Sequence, residues 1–476
     1  MEIQLKYCRR IVGRSSLTLP GIAVVSILAL SAILVRAGQS GSPYEGTAAQ
    51  LLKKGLQEQG AYATLAKLLS VGPRLTGSPQ AEAAVALMVR HMKDLGFENV
   101  RTEPTTVSRW IRGDKEEGRI ISRQYGNISV PVRALGGSIA TPKGGITAGV
   151  LEVRSIEELQ QAGDQAKGKI IFFNGAMDPA FLDTFQAYGA VARQRSAGAI
   201  EAARAGGVAA VVRSLTLEIN DDPHTGMMSY APDAPKVPAV SIATRAADRL
   251  SEILRQEPDT RFLFKTSCRL LAPVVAHNVM GEIRGTERPE EIIVVAGHLD
   301  SWDLSAGAHD DGAGCAQSIE ALRLIRGLGL KPRRTIRAVL YMDEENGGTG
   351  GGDYARSEFR KSERHLAAIE SDRGGFLPLG IGVGAKDAVF DRIKSWEPLF
   401  RIMGLHWIRP GGGGVDIGPL AASGTVLMGL VTDSQRYFEV HHSGMDVLGK
   451  VNSRELELGA SAMALMAYLL AQEGIG

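Results

Sequence analysis

The chain has 476 residues, 44% of them apolar and 22% charged, with a formal net charge of +2. That is the composition of a globular protein long enough for two or three domains, and without a basic stripe it offers nucleic acid nothing to bind. The three cysteines, Cys8, Cys268 and Cys315, exclude a disulfide framework, and with no Cys-x-x-Cys or Cys/His cluster they exclude a thiolate metal site; two buried thiols are expected in the body of the chain.

The N-terminus reads as an export signal. Lys6, Arg9, Arg10 and Arg14 form a basic region, residues 22–35 are apolar apart from Ser26 and Ser31, and Val35-Arg36-Ala37 places small residues where a signal peptidase reads. An uncleaved anchor competes, since counting from Leu17 gives 19 residues, near the roughly 20 a spanning helix needs. Pro20 and Gly21 favour the shorter, cleavable version. A polar linker at 38–46 leads into helical patterning over 47–69, a Gly/Pro-bearing loop at 72–79 and an amphipathic helix at 81–95 that Gly96 ends. Alternation over 100–110 predicts a strand, and 113–125 reads as a charged loop. Residues 126–272 have a β/α rhythm of their own, with strands at 149–154, 168–173, 208–213 and 237–242 and helices at 190–205 and 246–254. That block lacks clustered Asp, Glu and His, so it is expected to be a second domain inserted into the first rather than a second catalytic centre. Beyond it, strands at 278–283, 292–296, 335–342, 366–370 and 425–430 alternate with helices at 312–328, 387–403 and 453–472. Such alternation predicts an α/β fold, a sheet covered by helices on both faces. The expected division is a leader at 1–37, a first part of the main domain at 38–125, the insert at 126–272, and the remainder of the main domain, with its site, at 273–476.

Five residues far apart in the chain are candidate metal ligands: His298, Asp310, Glu345, Asp372 and His442, in the strings GHLD, AHDDGAG, MDEENGG, ESDRGG and YFEVHHS. Three of the strings follow predicted strands, at 296, 342 and 370, which is where open α/β sheets gather their chemistry. Bare carboxylates brought together there would repel, by ~4 kcal/mol for a pair 4 Å apart at an effective dielectric of 20; cations turn that repulsion into attraction. One shared carboxylate, two imidazoles and two further carboxylates can hold two divalent ions. Zinc suits them best, with cobalt or manganese as substitutes. Glu344 is then left over with no ligand duty, and such a set with a spare glutamate is what metal-assisted peptide hydrolysis requires. Singly, such residues have plainer explanations. Asp310 or Asp311 can cap the helix that follows, Asp416 could meet a substrate amine but is expected to cap the helix after Ile417, and His309 is expected to be an exposed loop histidine.

The strings GHLDSWDL, HDDGAG, the Glu344-Glu345 pair ahead of NGG, ESDRGG and YFEVHHS together resemble the M28 family of zinc exopeptidases, and within it a branch of dipeptidase-like carboxypeptidases. The resemblance runs from about residue 44 to the C-terminus and includes GITAGVLEV, GKIIFFN, DPHTGMMSY and KVPAVSI inside the insert. It implies a zinc-exopeptidase-like mixed sheet flanked by helices, with an inserted protease-associated-like, lid-like β/α domain. It also implies that Asp310 bridges two zinc ions, that His298 and Asp372 complete one site and Glu345 and His442 the other, and that Glu344 is the general base for a metal-activated water. Asp300 is expected to orient His298, the Asp310–Asp311 peptide to be cis, and the turn at His224, Thr225 and Gly226 to border the cleft. The implied protein is an exported, homodimeric exopeptidase that takes dipeptides or short peptides, with membrane contact only if the leader stays. An aminopeptidase of the same family, a glutaminyl-cyclase-like acyltransferase and a non-catalytic receptor-like ectodomain are the alternatives the resemblance leaves open.

Overall fold

The computed structural model describes residues 42–475; the leader read in residues 1–37 lies outside the described residues. The chain divides into a short N-terminal unit, Met1–Glu45, whose described part is a turn at residues 43 and 44 and the first residue of a helix, and a compact unit, Gly46–Gly476. No helix among the described residues is long and apolar enough to cross a membrane. Cys268 and Cys315 are buried free thiols.

The four strands Arg334–Tyr341, Arg288–His298, Arg364–Glu370 and Val426–Thr432 lie side by side and run parallel. Antiparallel partners extend the sheet on both sides. Arg269–Ile283 and then Glu98–Ile111 lie on one side, and Pro378–Val383 on the other, with Trp407–Pro410 parallel to it at the edge. The eight-stranded sheet is therefore mixed, as expected. Parallel neighbours need crossovers that put helices over the sheet. That is why residues 291–298, 334–341 and 365–370 are buried without interruption and read as apolar runs. Helix Ala313–Gly327 makes the first crossover and packs against the closing helix Ser453–Glu473. Asn452 starts the closing helix by accepting the N–H groups of Arg454 and Glu455, and its buried stripe is rich in alanine, which lets the two helices approach.

Register then sets the site. His298 pairs with Tyr341 in one neighbour, and Ala296 pairs with Glu370 in the other. Parallel strands in this register end together, so the segments leaving them emerge at one edge.

A second eight-stranded sheet takes all its strands from residues 116–266, in the order Gly126–Val130, Glu116–Ser122, Arg261–Thr266, Ile146–Val153, Ile170–Phe173, Ala209–Arg213, Ala239–Ile242 and Val132–Ala134. The strand Glu116–Ser122 corrects the loop reading of 113–125. Its charged side chains alternate with Gly118, Ile120 and Ser122, which are buried, and it pairs on both edges. Three helices expected to be continuous are broken. The 47–69 stretch divides at Gln59, in the left-handed region at φ 49°. The 387–403 stretch divides into Asp387–Lys394 and Glu397–Arg401, because Pro398 has no N–H to continue a helix but suits the start of one. The 190–205 stretch is the most consequential. It divides into Thr184–Val191, Arg193–Ser196 and Gly198–Arg204. Gln194 locks the middle piece by accepting the Gly175 N–H at 3.0 Å and donating to the Gly175 carbonyl at 2.7 Å.

Candidate metal centre

His298 is the last residue of its strand. Its Nδ1 lies 3.0 Å from the Asp300 carbonyl, which only accepts, so Nδ1 carries the hydrogen and Nε2 is the free face. That Nε2 stands 3.2 Å from Oδ1 of Asp310 and 3.5 Å from Oδ1 of Asp372. The other oxygen of Asp310, Oδ2, is 3.2 Å from Nε2 of His442, which is itself 3.1 Å from Oε2 of Glu345. The structure therefore brings all five expected ligand residues together, with one carboxylate presenting an oxygen to each imidazole. Despite these short separations, His298 Nε2, Asp310 Oδ2, Glu345 Oε1 and Asp372 Oδ1 are buried with no hydrogen-bond partner. Polar atoms that crowd one space without bonding each other have the arrangement of a ligand set, since buried groups otherwise find partners.

Local structure explains how each residue is delivered. His309 and Asp310 donate their backbone N–H groups to Asp446, at 2.7 and 3.0 Å. The Asp310–Asp311 peptide is cis, as the resemblance implied. Asp311 takes the structural duty that Asp310 leaves. One oxygen accepts the His298 N–H at 3.0 Å and the other the Gly314 N–H at 2.9 Å, at the start of the crossover helix. His442 adopts φ 59°, an uncommon conformation for a residue with a Cβ. Its carbonyl accepts the Thr225 N–H at 2.8 Å, so the expected turn does reach the site from the second sheet's side of the chain. Trp302 donates its indole N–H to Glu345 at 2.5 Å.

Two expectations for neighbouring residues need correction and one is made more specific. Asp300 does orient His298, through its carbonyl; its carboxylate is 3.8 Å from Nδ1. The carboxylate instead gathers the Thr76 hydroxyl (2.6 Å) and the consecutive N–H groups of Asp343 (2.8 Å), Glu344 (3.2 Å) and Glu345 (3.3 Å). It is the anchor of the loop that carries both glutamates. His309 is not exposed. Its ring stacks on Phe376 with centroids 4.0 Å apart, and Nδ1 accepts the Gly375 N–H. Asp416 caps nothing; it is buried, and neither oxygen has a partner.

The cluster opens into a cavity of ≈ 270 Å³ lined by Asp310, Glu344, Glu345, Asp372, His441 and His442 on one side and by Phe185, Tyr188, Arg195, Met227, Tyr437 and Phe438 on the other. Electrostatics in the bare cluster favour positive charge. Burial works to raise Asp310, yet the His298 and His442 imidazoles hold it well below the usual carboxylate range. Burial works to lower His442, yet the carboxylates of Glu345 and Asp310 push it up to about 9. Glu344 is pushed well above the usual range by burial and by the Asp372 and Glu345 carboxylates, against the pull of His298. Sequence reasoning missed Tyr188, Arg195 and His441. The first two come from a stretch with no acidic or imidazole cluster to signal it; His441 was visible only as the twin of His442, on which it stacks with centroids 3.5 Å apart.

Carboxylates and imidazoles converging beyond the ends of parallel strands form a site suited to metal-assisted hydrolysis. Residues 278–383, which include every expected site residue except His442, match the model of peptidase family M28. Carboxypeptidase Q of Bos taurus is 34% identical over 418 residues, covering 88% of this chain and 86% of the relative. The Homo sapiens carboxypeptidase Q is 33% identical over 421 residues, covering 88% and 86%. The crystal structure of a peptidase M28 precursor from Shewanella amazonensis SB2B superposes with a TM-score of 0.86 at 33% identity, over 90% of this chain and 97% of that one. A zinc aminopeptidase from Bacillus subtilis shares the fold, with a TM-score of 0.61 at 19% identity over 87% and 95% of the two chains. The chain belongs to peptidase family M28.

Proposed function

We propose that this protein is a dinuclear zinc exopeptidase that hydrolyses dipeptides or short peptides. The observation that carries the reading is Asp310, which turns Oδ1 to His298 and Oδ2 to His442, each at 3.2 Å. One carboxylate serving two imidazole-bearing half-sites is the layout of a pair of ions rather than of one. His298 and Asp372 would hold the first ion, Glu345 and His442 the second, and Asp310 would be shared between them. Bound there, zinc would polarise the scissile carbonyl and lower the pKa of a water to about 7.

The chain's own groups do the rest. Glu344 lines the cavity beside the ligands and has no partner role among them. It takes the proton of the attacking water and hands it to the leaving amine. The Asp300 carboxylate holds the backbone of residues 343–345 so that this base and the ligand Glu345 stay in fixed relation. Phe185, Tyr188, Tyr437 and Phe438 form an apolar wall that takes a substrate side chain and excludes water. We read the sheet drawn from residues 116–266 as the lid-like insert. Export is supported by the basic and apolar segments of residues 1–37.

The test is Glu344→Gln. The variant should keep two zinc ions per chain by elemental analysis while dipeptide turnover falls by at least about 100-fold, the usual scale of a lost general base. A purified variant that turns over near the wild-type rate removes Glu344 from the reaction, and a wild-type chain that carries a single zinc at full activity removes the dinuclear reading.

A further inference from the structure

We propose that Trp302 is a positioning residue for the second half-site: its indole N–H sets the Glu345 carboxylate, and the lid-like insert holds the indole, so that the seating of the insert tunes one ion and not the other. The inference deepens the reading above and rests on it.

Trp302 is buried, and its indole nitrogen can only donate. It gives that hydrogen to Oε2 of Glu345 at 2.5 Å. Glutamate is a flexible ligand, and a charge-assisted bond to one oxygen fixes the plane of the carboxylate while leaving the other oxygen to coordinate. That other oxygen, Oε1, is buried with no partner. The indole also lies beside the imidazole of the same half-site, with its centroid 5.7 Å from the His442 ring.

The groups that hold the indole come from the insert. A Cβ on Gly136 would overlap Cη2 of Trp302, so the far edge of the ring lies directly on the Gly136 backbone. Gly136 is stitched to a second insert segment: its N–H donates to the Gly226 carbonyl at 2.9 Å, and its carbonyl accepts the Met228 N–H at 2.9 Å. Thr225, in the same segment, donates its N–H to the His442 carbonyl at 2.8 Å. Arg112 closes the clasp. Its buried guanidinium pairs with Asp303, the residue after Trp302, at 2.7 Å, and donates to the Ala134 carbonyl at 2.6 Å and to the Thr225 hydroxyl at 3.3 Å. Glu345 and His442 are therefore both steadied from the insert, one through the indole and the other through the Thr225 amide. His298, in the first half-site, is steadied from its own side of the chain, by the Asp300 carbonyl at Nδ1 and by the Asp311 carboxylate on its N–H.

A packing role alone would not single out one ion. Trp302 does share a small core with Leu75, Trp110, Ala134 and Cys268, and thinning that core lowers the stability of the whole chain. Loss of the N–H acts on Glu345, and through it on the second half-site.

The test is zinc titration of the metal-free chain in competition with a chromophoric chelator, which resolves two equivalents in the wild type. Trp302→Phe keeps an aromatic ring and loses the N–H. Partners that orient a metal ligand correspond to about 10- to 100-fold in metal affinity, so one equivalent should weaken by that factor while the other stays within about threefold. Gly136→Ala leaves the N–H in place and displaces the ring, at a backbone conformation that accepts a side chain. It should weaken the same equivalent, with little further loss in the double variant, because the two changes act through one contact. Thermal unfolding of each metal-free variant checks that it is folded. A folded Trp302→Phe or Gly136→Ala chain that binds both equivalents as tightly as the wild type, or loses both alike, overturns the proposal and leaves the dinuclear reading standing. A wild-type chain that takes up a single equivalent removes that reading and this one with it.

Discussion

Replacing Asp300 with asparagine should damage both stability and catalysis without touching a metal ligand. The carboxylate accepts four hydrogen bonds, with Asp343 and Glu344 N–H on Oδ1 and the Thr76 hydroxyl and Glu345 N–H on Oδ2. An asparagine that keeps its oxygen at the Oδ1 position presents NH2 to Thr76 and to the Glu345 amide. The Thr76 hydroxyl can rotate and accept; the Glu345 N–H cannot, and is left buried without a partner. One orphaned donor costs about 1–3 kcal/mol, and loss of the charge weakens the two remaining bonds by roughly 0.5–1 kcal/mol each. The sum is about 2–5 kcal/mol, which a domain stable by 5–15 kcal/mol survives. Urea unfolding of the metal-free chain should show that loss. Because the freed amide belongs to Glu345 and its neighbour is Glu344, kcat/KM should fall by about 100-fold, the scale expected when a site loosens by about 1 Å. Thr76→Val, which removes the shortest of the four bonds, should cost about 1–2 kcal/mol and be strongly non-additive with Asp300→Asn. An Asp300→Asn protein within about 0.5 kcal/mol of wild type and within threefold in activity would refute the anchoring role.

Asp310→Asn removes the shared charge, and elemental analysis should find zinc content reduced at both half-sites rather than one; loss of a single equivalent would mean that Asp310 serves one ion only. In the metal-free protein, His442 sits at about 9 against an ordinary 6.5. A raised imidazole binds its proton more tightly folded than unfolded. Its contribution, about 3 kcal/mol, is therefore full below pH 6.5 and lost as the pH rises through 9. Thermal scans of stripped protein should fall across that window and those of zinc-loaded protein should not; a flat profile for the stripped protein contradicts the imidazole–carboxylate pairing. Gly226→Ala should disturb His442. A Cβ there would lie 2.4 Å from Arg195 Nη1 and 2.7 Å from His442 Nδ1, at φ 133°, so weakened zinc retention on dialysis against a chelator is the expected result and unchanged retention the contrary one.

Much of this protein was legible from its residues alone, because the signals were local or periodic. Uninterrupted apolar runs such as IIVVA and AVLY announced strands buried on both faces, and the acids and imidazoles that follow them announced the edge where the sheet does its chemistry. The clustering of His298, Asp310, Glu345, Asp372 and His442 was therefore anticipated, and the distances bring them together.

Other features depend on contacts between segments distant in sequence, which leave no local trace. Asp300 serves His298, two residues away, with its carbonyl, but its carboxylate is claimed by Thr76 and by a loop more than 40 residues on. His309 looked like a loop residue until Phe376 supplied a ring to stack on. The 190–205 segment has the composition of one helix, and only its docking on Gly175 breaks it and turns Arg195 into the cleft. Residue order specified which groups exist and the periodicity that carries them. Packing alone determined which way each one points, because that choice is made by whichever partner, however remote along the chain, satisfies a buried polar atom at least cost.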